Sequence, residues 1–188
     1  MTSAQTYRPD IDGLRAVAVV AVLFYHSKRL GGGFVGVDVF FVISGYLITG
    51  HLRSAGSNLS VMDFCRRRIR RIAPALLIVL IASMVAGIVL LLPRQLAELA
   101  RTTVSVLLWV SNIRFWKAQG YFASEHVIKP LLHTWSLAVE EQFYLLIPFC
   151  IKYLRRPLPL LIPAAFVSFI LSVFATYYAP GAAFYLLP

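Results

Sequence analysis

The sequence is short of acidic residues, short of cysteine and, over long stretches, empty of charge. Eight Asp and Glu stand against eighteen Lys and Arg, a formal net charge of +10. No charged residue occurs between Ile72 and Leu92, or between Pro157 and Pro188. Each run is long enough to cross a hydrocarbon core of about 30 Å, which takes about 20 helical residues. A small water-soluble fold is thereby excluded, because it has no interior that would hide such runs. Two cysteines, Cys65 and Cys150, are too few for a disulfide framework or a metal centre, so no metal is expected. No glycine-rich phosphate loop is present, which argues against an ATPase. The first apolar run, Leu14–Tyr25, is preceded by Asp10 and Asp12 and followed by Lys28 and Arg29 rather than by a small-residue cleavage site. It reads as an uncleaved first span, not a signal peptide.

What is there predicts an all-α, polytopic transmembrane helical bundle with five or six membrane segments. Spans are expected at about 13–30, 34–52, 72–92, 131–153 and 158–178. Gly31, Gly32 and Gly33 make a tight connection between the first two, and Pro74 falls in the first turn of the third. A basic loop of about 53–71 holds Arg53, Arg66, Arg67, Arg68, Arg70 and Arg71, opposed by Asp63. A basic cluster also suits nucleic acid. In so apolar a chain the expectation is instead a short cytoplasmic loop and no nucleic-acid partner. The N-terminus is then cytoplasmic as well. The segment of about 95–117 starts amphipathic and holds an apolar run too short for a full crossing. With Arg155 and Arg156 placed inside, and Gly120 and Pro130 in the connection beyond it, this segment reads as re-entrant or interfacial. A short true span that inverts the later helices is the alternative.

Ionisable residues inside apolar spans are costly and are functional candidates by default. Arg15 and His26 are eleven residues apart, which on a helix returns to within about 20° of the same face and about 16 Å along the axis. Such a pair lines a tunnel with a cation at its mouth and a titratable imidazole deeper in, or else serves as an interfacial anchor and a helix-end cap. Asp38, with Ser44 on the same span, is expected to face the bundle and brace an arginine. Glu140 and Glu141 point about 100° apart on a helix, so one is expected to face inward and the other a polar rim. Ser136, Glu140 and Tyr144 share a face, and no nucleophile elbow surrounds Ser136. Arg68 and Arg71 project together if helical, and paired guanidinium forks suit phosphate.

Taken together, these blocks resemble the acyltransferase 3 family. They are Asp10-x-Asp12-Gly13-Leu14-Arg15 with His26 beyond it, Gly36–Gly45, Arg68 and Arg71 ahead of Pro74, and His133–Tyr144. The resemblance covers most of residues 7–155. It implies transfer of an acyl group, most commonly acetyl, from cytoplasmic acyl-CoA to a hydroxyl of an extracytoplasmic glycan such as lipopolysaccharide or peptidoglycan. It implies a bacterial inner membrane and a bundle of about ten spanning helices, of which residues 1–188 are the N-terminal part. Acyl-CoA enters as co-substrate, with no tightly bound cofactor; the other partners are the acceptor, membrane lipids and the remaining helices. Carried over by position, His26 is general base or acyl carrier, Arg15 guides the donor, Arg68 and Arg71 bind coenzyme A phosphates, and Glu140 balances charge. Asp38, Ser44, Trp135, Ser136 and Tyr144 support them. The start Tyr7-Arg8-Pro9-Asp10 resembles members that carry a C-terminal SGNH-type domain. A transporter or scaffold whose charges merely pair, or an inactive remnant, is the rival expectation.

Overall fold

The computed structural model describes residues 8–55, 60–118, 129–153 and 158–186. Tyr7, Gly120, Arg155, Arg156 and the side chain of Arg53 lie outside the described residues. Among those described, eight α-helices and no strand occur, as the apolar periodicity predicts. They fall into two compact units, residues 1–55 and 56–188.

The first unit is a pair of packed helices, α1 (Pro9–His26) and α2 (Val35–Ala55). Pro9 opens α1 where its missing N–H costs nothing, and Asp10 and Asp12 lie in the first turn, where the helix dipole favours carboxylates. After α1 the chain reverses through Lys28, whose backbone is left-handed at φ 58°. The amides of Lys28 and Arg29 turn back onto the carbonyls of Tyr25 and Phe24. The glycines beyond do more than bend. A Cβ on Gly33 would strike the Ala21 carbonyl oxygen, and one on Gly36 that of Ala18. Here the bare backbone is what lets the two helices touch.

The second unit contains α3 (Val61–Leu90), α4 (Pro93–Leu107), α5 (Ser111–Lys117), α6 (Thr134–Tyr153), α7 (Leu158–Tyr178) and α8 (Pro180–Leu186). The arginine cluster differs from its expected place. Arg66–Arg71 is not loop but the first part of α3, which starts where the Ser60 hydroxyl accepts the Asp63 amide at 3.2 Å. Pro74 is accordingly interior to a helix of 30 residues rather than near its beginning. The helix is about 45 Å long and so exceeds a bilayer core of about 30 Å. The segment expected to be short or re-entrant is two helices, α4 and α5, broken at Trp109, whose backbone is also left-handed at φ 57°. One face of α4 packs on α3, with Leu99 and Val106 joining Leu76, Leu80 and Leu131 in the core.

Among the described residues, three helices are long and apolar enough to cross a membrane by length and composition: α2, α3 and α7. Helices α1 and α6 occupy two further expected spans and are more polar, through Asp10, Asp12 and Arg15 in one and Glu140, Glu141 and Gln142 in the other. None of the apolar stretch Pro159–Tyr178 is buried within the chain. Its Phe166, Phe169 and Phe174 point outward, as side chains do where lipid or another helix is the solvent.

Candidate functional site

In the first unit, Arg15 and His26 lie on one helix, α1, as their spacing requires. The Arg15 guanidinium meets Asp12 at 3.5 Å, one turn earlier. His26 is exposed, and its Nδ1 lies 2.8 Å from the Val22 carbonyl oxygen. A carbonyl oxygen only accepts, so Nδ1 is the donor and the neutral ring keeps its lone pair on Nε2. Tyr25 stands edge-on to the ring at 5.5 Å between centroids. Asp38 is exposed, and among the described residues the structure brings it no arginine. Ser44 is half-buried on α2. At the start of α1, the Arg8 guanidinium grips Asp10 at 2.7 Å and holds its carboxyl down at about 2.

In the second unit the sequence-distant candidates converge. Arg68 of α3 lies half-buried against α6, with Nη2 donating to Glu140 Oε1 and Nε to Glu141 Oε1, both at 3.3 Å. Its guanidinium carbon sits 3.3 Å from the centre of the Tyr144 ring, a cation–π contact. The Tyr144 hydroxyl donates to Glu140 Oε1 one turn away. This corrects the expectation for the two glutamates. They do not divide between interior and rim: Glu141 is the less exposed, at 10% against 21% for Glu140, and both close on one guanidinium. The planar fork of arginine presents donors on two edges, so it spans carboxylates that a helical wheel sets about 100° apart.

The expected pairing of Arg68 with Arg71 is also altered. Arg71 is exposed and, among the described residues, has no carboxylate, while Arg68 is committed to α6. Ser136 donates to the His133 carbonyl at 3.2 Å, and Trp135 packs on Phe184 of α8 at 4.6 Å between ring centres. Chemically, the Arg68 cluster is a clamp of one guanidinium on two carboxylates, whereas His26 offers an accessible base.

With the fold and both sets of residues in view, comparison with known proteins is direct. The acyltransferase domain family matches residues 8–187. The chain belongs to that family. The O-acetyltransferase OatA of Staphylococcus aureus is 40% identical over 153 residues, covering 79% of this chain and 25% of that protein. The peptidoglycan O-acetyltransferase OatA of Listeria monocytogenes is 38% identical over 189 residues, covering 95% of this chain and 30% of its own length. The chain therefore spans between a quarter and a third of the relatives it matches. No solved structure matches it.

One part of this acyltransferase domain was not singled out by sequence reasoning. Gln142 of α6 donates to the Trp109 carbonyl at 2.7 Å and to Asn112 Oδ1 at 3.0 Å. Asn112, buried on α5, donates in turn to the Tyr185 carbonyl of α8 at 3.3 Å. Ser111, fully buried, donates to the Thr134 carbonyl at 2.9 Å. The signal available was composition: Asn112 and Gln142 are amides in apolar surroundings, where a polar side chain needs a partner.

Proposed function

We propose that the protein carrying this chain transfers an acetyl group from acetyl-CoA to a hydroxyl of a cell-wall glycan, with His26 as general base. The observation that carries the reading is the Val22 carbonyl on His26 Nδ1, which leaves Nε2 of an exposed imidazole as proton acceptor. Family membership supports acyl transfer, and the peptidoglycan named for the Listeria relative supports the acceptor class. Nε2 takes the proton of the acceptor hydroxyl as its oxygen attacks the thioester carbonyl. The C–O bond forms, the C–S bond breaks, and the imidazolium returns the proton to the departing coenzyme A thiolate. If His26 carries the acyl group instead, Nε2 itself attacks first and the hydroxyl then displaces it. Arg15 guides the donor. Arg71, exposed, takes its phosphates, while Arg68 holds α3 to the glutamates. Donor binding is assigned to the cytoplasmic side of the inner membrane, because the arginine-rich start of α3 follows the positive-inside pattern.

The test is radiolabelled acetyl-CoA supplied to membranes bearing the full-length protein, with label followed into the glycan fraction. Label reaching glycan in the parent but not in His26→Ala supports the reading. Equal label from both sinks the role of His26, and glycan moved without acetyl-CoA consumption would favour a transporter.

A further inference from the structure

A concave cleft of about 560 Å³ lies on the polar face of α4. Arg94, Glu98, Arg101 and Thr102 come from α4, Arg114 from α5, and Lys129 from the segment ahead of α6. Among the described residues, four cations thus line the cleft with a single carboxylate. The α4 residues recur at helical spacing and share one face, bordered by Leu99, which also joins the core packed on α3. Phe115 and Leu131 supply apolar wall.

The internal bonds show how the charge is arranged. Glu98 is shared by two arginines, accepting from Arg101 Nη1 at 2.8 Å and from Arg114 Nη2 on its other oxygen. Arg114 Nε is fixed by Thr102 Oγ1 at 3.2 Å. One carboxylate therefore positions two guanidinium groups without neutralising both. Arg94 and Lys129 have no ion-pair partner among the described residues. A concave surface with excess positive charge concentrates anions. Guanidinium forks held in fixed directions recognise phosphate oxygens by paired, charge-assisted bonds. The volume is sufficient for a phosphate or diphosphate with an attached group.

We infer that this cleft binds a phosphate-bearing ligand, either a soluble phosphate ester or diphosphate or the headgroup of an anionic lipid. It shares no residue with the Arg68 clamp or with Arg15 and His26, so it is a second site in this domain. The proposal does not rest on the acyl-transfer reading.

The experiment uses the full-length protein and two arms. Inorganic pyrophosphate is titrated against the detergent-solubilised protein while the thermal midpoint is followed. Separately, the midpoint is compared in nanodiscs of phosphatidylcholine with and without phosphatidylglycerol. The variants are Arg94→Gln/Lys129→Gln, which removes two cations without breaking an ion pair, and Arg101→Gln as an independent second; Arg29→Gln is the control outside the cleft. The expected result is a rise of a few degrees in the parent and the control, with apparent affinity at least about tenfold weaker in both cleft variants. A response to pyrophosphate that the variants lose supports a soluble ligand. A response to phosphatidylglycerol alone that the variants lose supports a lipid headgroup. No response in either arm, or one that survives in the cleft variants, overturns the proposal.

Discussion

Arg15 and His26 stand on a single helix with one modest polar contact each, to Asp12 and to the Val22 carbonyl. Arg68 meets two carboxylates and an aromatic ring presented by a different helix. Both sets are ionisable groups in a membrane-type fold, yet they are bound to opposite degrees. A group that must give up or accept a proton during a reaction is left open. A group that must keep two helices in register is tied from several sides. The difference separates residues expected to govern rate from residues expected to govern folding, and substitutions can break or sharpen it.

The largest effect is expected at His26. His26→Ala should lower acetyl transfer by about 10²–10⁴-fold with no loss of thermal stability, since the ring is exposed; a fall in melting temperature alongside activity would erase the contrast. Arg68→Ala should act the other way. It strands Glu140 and Glu141 beside each other, partly buried, and should cost about 3–5 kcal/mol, read by chemical unfolding in detergent. Unchanged stability would show that the clamp is not structural. Asn112→Ala should cost about 1–3 kcal/mol in the same measurement, because it removes the buried hydrogen bonds that tie α5 to Gln142 and to the Tyr185 carbonyl. Lys28→Gly should raise stability by up to about 1 kcal/mol by relieving its left-handed backbone. The smallest effect is at Asp10. Its carboxyl, held at about 2 by the Arg8 hydrogen bond, should return toward 3.8 in Arg8→Ala, as followed by NMR titration. Because the folded value is depressed, the pair's contribution is present above about pH 3.8 and is lost as pH falls toward 2.

The helices were legible wherever apolar residues run long, and each of the five expected segments overlaps a helix. The start of α3 was misread because dense charge resembles loop, although Ser60 and Asp63 carry a helix-start signal a few residues earlier. Glu140 and Glu141 were misjudged because a helical wheel treats side chains as radial vectors and ignores the reach of an arginine on another helix. The amide network of Asn112 and Gln142 depends on chain segments 30 residues apart, which local pattern does not reveal. Arg15 and His26 were legible because their relation lies within one helix, where spacing alone sets direction.

Pro74 gives α3 a mechanical joint. Proline has no amide hydrogen, so the Arg70 carbonyl loses the intrahelical donor it would otherwise have. One rung is missing just where the apolar stretch meets the arginines. The basic end is fastened to the glutamates of α6, while the apolar end answers to the thickness of the bilayer. Shortening the lipid chains should therefore tilt the upper rod and bend the helix at Pro74, leaving the guanidinium of Arg68 in its clamp.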